Sequence, residues 1–157
     1  MGNLLLDPNG RISPADFMKC AILLIIITAV IGLVPIISTT LGGILSLISI
    51  VLLYPWVVIF MKRMRDGGKS GWMCLVAILV YFVASMIVGI IVVALVGGGM
   101  AGMMDAAGDP ASMKDLTMKI TIPSVIAGAA VSYLIAFLIN KFVPHDAHDN
   151  QYGPETH

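Results

Sequence analysis

The chain has 157 residues, of which 59% are hydrophobic and 11% charged, with a formal net charge of +0 and a mean hydropathy of +0.99. A soluble domain carries about 25% charged residues, so this chain has too little polar surface to coat a particle in water. Without an excess of cations, nucleic acid is not an expected partner, and the length fits one domain.

The N-terminal segment is polar and holds "GRISPADFMK" (10–19). Within it Ser13 is placed to cap a helix, with Pro14 at the first helical position and Asp16 reaching back as in a capping box. From Cys20 to Met61 there is no Asp, Glu, Lys, Arg or His. That stretch is about twice the roughly 20 residues needed to cross a bilayer. It is interrupted by "STTLGG" (38–43) and therefore predicts two membrane spans, about 19–38 and 42–61, joined by a tight hairpin. A signal peptide is the competing reading of the first span, but "PIISTT" offers no small-x-small cleavage site. "MGNLLL" lacks the Ser or Thr of a myristoylation signal. Pro35 and Pro55 each remove a backbone hydrogen bond and are expected to kink their spans, which can open a cavity.

Next comes "MKRMRDGGKSGWM" (61–73). Gly68-Lys69-Ser70 looks like the end of a phosphate loop, but that loop needs a Gly five positions earlier, where Arg63 stands. The stretch reads instead as a basic turn whose glycines permit positive φ, with Ser70 placed to cap a third span at about 71–96. Residues 97–119 are expected to form an external loop. Its Met100, Met103, Met104, Met113 and Met118 carry thioethers that suit Cu(I), yet no Cys or His joins them, and Met also fills flexible surfaces. A fourth span follows at about 121–142, then a polar tail, 143–157. In that tail His145, Asp146, His148 and Asp149 read as solvated rather than as a divalent-ion site. No metal and no cofactor is expected.

Short cytoplasmic loops retain Lys and Arg. Arg11, Lys19, Lys62, Arg63, Arg65, Lys69 and Lys141 would share one side, leaving Lys114 and Lys119 on the other. Both termini and the basic turn are therefore expected in the cytoplasm. Trp56, Trp72, Phe17 and Phe142 fall near that interface, where aromatic rings gather. Cys20 and Cys74 lie near the same reducing face without metal-ligand spacing, and a disulfide is not expected.

Apart from Lys19 and Lys141 at their ends, none of the spans holds an Asp, Glu, Lys, Arg or His, so a carboxylate proton relay is not expected. There is also no Asp pair, no HExxH and no His to pair with Ser inside a span, and the chain is read as a non-enzyme. Small residues do recur at helix-packing intervals: Ser124, Gly128, Ser132, Ala136 and Asn140 in span four, and Ala77, Ser85 and Gly89 in span three. They are expected to bring spans three and four into close contact, or to form a seam between copies of the chain.

Three stretches, "GRISPADFMK", "KRMRDGGKSGWM" (62–73) and "DNQYGPET" (149–156), resemble the DUF805 family of small bacterial inner-membrane proteins. Arg65 stands where the family usually has His, and Met73 where a second Trp is common. The resemblance implies a multi-pass protein of the bacterial inner membrane and supplies no reaction. The combined reading is an all-α bundle of four transmembrane helices. Its favoured function is an interaction or scaffold module, with Arg11, Asp16, Arg63, Asp66, Lys69, Asp149 and Tyr152 forming one cytoplasmic surface for anionic lipid or a protein partner. Arg11 is expected to meet Asp66. The alternative is a small oligomeric channel or permease around the kinked spans.

Overall fold

The computed structural model describes residues 2–154 and 156. Glu155 and the last residue of the tail, His157, lie outside the described residues. The elements in order are α1 (Gly2–Leu6), α2 (Pro14–Ile37), α3 (Thr39–Val51), α4 (Leu53–Asp66), α5 (Cys74–Val96), α6 (Gly99–Ala107) and α7 (Pro110–Phe142), with one 3-10 turn at Gly71–Met73. Four helical stretches are long and apolar enough to cross a membrane: Pro14–Ile37, Thr40–Asp66, Gly71–Val96 and Pro110–Phe142. The protein is an all-α, multi-pass membrane bundle. Its outward side chains agree: Leu47, Leu79, Ile90 and Ile126 are between 62 and 65% exposed. In water so much contiguous apolar surface would drive aggregation, whereas lipid covers it without cost.

Local chemistry sets the helix ends. Ser13 caps α2 by accepting the Asp16 N–H at 3.2 Å, with Pro14 in the first turn. The other half of the expected box does not form, because the Asp16 carboxylate takes the Lys19 ammonium at 2.9 Å instead. Ser38 both ends α2 and begins α3: its backbone is extended and its hydroxyl accepts the Leu41 N–H. A Cβ on Gly42 would sit 2.7 Å from Pro35 Cγ, so that glycine lets the hairpin close.

The second span is two helices. Pro55 has no N–H for the Val51 carbonyl, and the helix breaks at Leu52, three residues before it. The expected cap at Ser70 is absent, since its side chain makes no cap bond; only its carbonyl accepts, from the Met73 N–H at 3.0 Å. The stretch expected to be an external loop, residues 97–119, is also largely helical. Asp109 accepts the Ser112 N–H at 2.9 Å and Pro110 opens α7, which runs 33 residues. At 1.5 Å per residue that is about 50 Å, well over a hydrocarbon core of about 30 Å. The first turns of α7, with the exposed Asp115–Lys119 pair at 2.7 Å, thus extend beyond the apolar part of the bundle.

The predicted contact of spans three and four through Gly89, Ser124 and Gly128 is corrected. A Cβ on Gly89 or Gly128 would meet nothing within 4 Å, and Ser124 is exposed. Of the predicted small residues Ala77, Ser132 and Ala136 are buried, and Ser132 donates to the Gly128 carbonyl at 2.8 Å with its oxygen 3.4 Å from the Tyr81 hydroxyl. Ser85 Oγ is buried without a hydrogen-bond partner. Gly128 instead borders a cavity of about 140 Å³ with Ile25, Thr28, Gly32 and Tyr81. The close approach lies one helix over, where a Cβ on Gly32 of α2 would come within 2.9 Å of Val125 in α7.

The core concentrates towards the end of the bundle that carries the basic turn. Phe17, Cys20 and Leu24 of α2 meet Ile59 and Phe60 of α4, Cys74 of α5 and Ile135 and Ala136 of α7. Both cysteines are free and buried. Trp56 is half-buried and stacks on Phe60 at 5.4 Å and Tyr81 at 6.4 Å. Phe17 is fully buried, 5.8 Å from Phe60, whereas Trp72 and Phe142 are exposed.

Candidate functional site

Above that core, α4 ends at Asp66, whose carboxylate is fully buried. Its Oδ1 accepts from Arg11 at 3.2 Å and from the Thr156 hydroxyl at 2.8 Å. Oδ2 accepts from Arg63 at 2.9 Å and faces His145 Nδ1 at the same distance. Four segments thus converge on one carboxylate: the N-terminal stretch, α4, the segment after α7 and the C-terminal end.

Two buried guanidiniums against one carboxylate leave a charge that must be solvated internally. Backbone carbonyls do this. Arg11 donates to the carbonyls of Asp66, Asp146, His148 and Gly153, the His148 bond being 2.7 Å. Arg63 reaches the carbonyls of Asn140, Val143 and Pro144 and the Asn140 side-chain oxygen. The last carbonyls of α7 have no partner within their own helix. A cation there satisfies them and complements the negative end of the helix dipole.

Glycines make the docking possible. A Cβ on Gly67 would lie 2.6 Å from Val143 Cγ1 and 2.8 Å from the Pro144 carbonyl, so the chain after α7 rests on bare backbone. Gly68 has φ +68° and turns the chain. A Cβ on Gly71 would come within 2.8 Å of Arg65 Nε. Arg65 itself donates to the Pro8 carbonyl at 2.6 Å and lies over the Tyr152 ring at 5.4 Å, while its carbonyl accepts from the Asn150 amide. It therefore joins the basic turn to the tail segment and to the stretch just before the first motif segment. The tail has its own turn, closed by paired backbone bonds between Asn150 and Gly153. The Asn150 side-chain amide, with help from the His148 N–H and Arg11, holds the Asp146 carboxyl below its ordinary range against a smaller opposing effect of burial.

Of the residues predicted to share a surface, Arg11, Arg63 and Asp66 form the centre, and Tyr152 joins through Arg65. Arg11, Arg63 and Asp66 are, however, at most 6% exposed, so they hold the surface together rather than present it. Asp16 is apart, paired with Lys19, and the Asp149 side chain is exposed on the tail. Lys69 is partly exposed on the turn. Asn140, His145, Asn150, Thr156 and the linking role of Arg65 were not anticipated. His145, read from the sequence as solvated, turns inward to Asp66, and among the described residues no group of three or more His, Cys, Asp or Glu is placed to hold a metal ion.

Residues 5–154 match the family described as "Protein of unknown function (DUF805)". The chain belongs to the DUF805 family. No curated protein and no solved structure matches it.

Proposed function

We propose that this member of the DUF805 family is a non-enzymatic interaction module of the bacterial inner membrane, binding anionic headgroups at the face that carries the basic turn, and that this face is cytoplasmic. The observation behind the reading is a division of labour among the cations. Arg11 and Arg63 spend their N–H groups on internal acceptors, and Lys62 is buried. The cations that reach the surface of this face are Lys19, paired with Asp16, the partly exposed Lys69, and Lys141, beside exposed Trp72 and Phe142. Lysines with an interfacial Trp suit a negatively charged leaflet, each contributing about 1 kcal/mol. Replacing Lys19, Lys69 and Lys141 together by Gln should weaken phosphatidylglycerol binding at least about tenfold in native mass spectra. Unchanged occupancy would reject this reading.

A second reading rests on two cavities. One of about 290 Å³ lies between α2, α3, α4 and α5 at the Leu52 break, and it shares Thr28 and Tyr81 with the smaller cavity beside Gly128. A permease working through Tyr81 would show solute flux in liposomes that bulky substitution at Thr28 abolishes. The headgroup reading gives no flux.

A further inference from the structure

The tail is held almost entirely by polar bonds. From Pro144 to Pro154 no residue is buried, and the segment has neither helix nor strand beyond the Asn150–Gly153 pairing. Its attachments are the carbonyls of Asp146, His148 and Gly153 on Arg11, the Pro144 carbonyl on Arg63, the Asp146 N–H on the Asp66 carbonyl, and the His145, Asn150, Tyr152 and Thr156 side chains. Beneath it sit two guanidiniums and one carboxylate, all buried. On the tail side these guanidiniums donate to neutral carbonyl oxygens, while the nearby Asp146 carboxylate accepts from Asn150 and the His148 N–H instead. A phosphate oxygen is the stronger acceptor, because charge-assisted bonds are about twice as strong as neutral ones and a guanidinium binds phosphate with two parallel N–H groups.

We propose that residues 144–154, with Thr156, act as an internal ligand of a two-arginine anion site, and that a phosphate group entering at this face takes the place of the tail carbonyls on Arg11 and Arg63. Asp66 keeps both guanidiniums aligned while the exchange occurs, since it bonds each through a separate oxygen. Displacement frees the tail and exposes Arg65 and Tyr152, coupling occupancy at the membrane face to a segment that a protein partner can read. The chemistry recognised is a phosphate ester or free phosphate. The proposal deepens the headgroup reading and rests on it only for the class of ligand.

Gly153 supplies the handle for a test, because its φ of +137° excludes a β-branched residue. The full-length protein is placed in phosphatidylcholine nanodiscs, with phosphatidylglycerol or inorganic phosphate added in separate arms. In the wild type, phosphatidylglycerol should accelerate hydrogen exchange at the amides of Asp146, Asn150 and Gly153. Gly153→Val should bind phosphatidylglycerol about tenfold more tightly, as expected when a larger fraction of molecules is competent to bind. Adding Arg11→Gln should cancel that gain. If inorganic phosphate loosens the tail as well, the ligand is a free phosphate; if only the lipid does, it is a headgroup. Both outcomes support the site. Tail amides unmoved by either ligand in the wild type overturn it, as does a Gly153→Val gain that survives Arg11→Gln. The headgroup reading fails by a different result, lipid binding that ignores the change of Lys19, Lys69 and Lys141.

Discussion

Replacing Asp66 by Asn preserves the shape of the side chain and removes the one carboxylate that two buried guanidiniums share. The pairs measure 3.2 Å to Arg11 and 2.9 Å to Arg63, with all three side chains at most 1% exposed. Removing one partner of a buried pair costs about 3–5 kcal/mol. Here a single change strands two cations, but seven backbone carbonyls and the Asn140 side chain continue to solvate them. That compensation places the loss near the lower end, at about 3 kcal/mol. An amide nitrogen would in addition point donors at the donors of Arg63 or Arg11. The assay is unfolding in mixed micelles of rising sodium dodecyl sulfate fraction, followed by circular dichroism, with Arg11→Gln and the double variant in parallel. Because Asp66 and Arg11 bond each other, the double variant should lose less than the sum of the singles. A loss under about 1 kcal/mol would rank these pairs with solvent-exposed ones and refute the reasoning.

Gly67→Ala places a methyl group against Val143 and the Pro144 carbonyl and should cost about 1–3 kcal/mol in the same assay, because backbone cannot move aside as a flexible side chain can. Gly128→Ala, by contrast, enters open space and should leave stability within about 0.5 kcal/mol, which would not hold if that glycine were a helix-contact point. The carboxyl of Asp146 is held below its ordinary range, so its contribution to tail docking is complete above that range and is lost as pH falls through the lowered value. Hydrogen exchange at the tail should therefore quicken only below about pH 4, and Asp146→Asn should flatten the response. For topology, a cysteine at Gly108 should react with an impermeant reagent in intact cells and one at Gly67 should not; the reverse pattern would turn the bundle over.

Charge-free runs made the spans legible, because burying a charge in lipid is too costly to be hidden by local variation. The break at Leu52 was implied by Pro55, but a kink and a complete division into α3 and α4 have the same sequence signature. The helical start of α7 was missed although Asp109-Pro110 is a cap followed by a first-turn proline, because the Gly- and Met-rich composition around it argued for loop. At the polar end, charge complementarity suggested Arg11 with Asp66, and that pair exists. The carbonyl cage did not show in the sequence, since every residue has a carbonyl and only the path of the chain decides which ones turn inward. The same limit hid Arg65: in sequence it is one more cation in a basic run, and its contacts with Pro8, Gly71 and Tyr152 exist only after folding. Gly89 and Gly128 misled for the opposite reason, a real periodicity that packing within one chain does not use.

Everything proposed for this face requires that the N-terminal segment, the basic turn and the tail dock together in the membrane. Photo-crosslinking in native membranes tests that directly, with a benzophenone-bearing phenylalanine in place of Tyr152, whose ring lies 5.4 Å from the Arg65 guanidinium. Irradiation should yield an intramolecular adduct, mapped by mass spectrometry to the peptide around Arg65. Adducts to solvent, lipid or other proteins with none on the basic turn would mean that the tail is not docked, and would contradict the account.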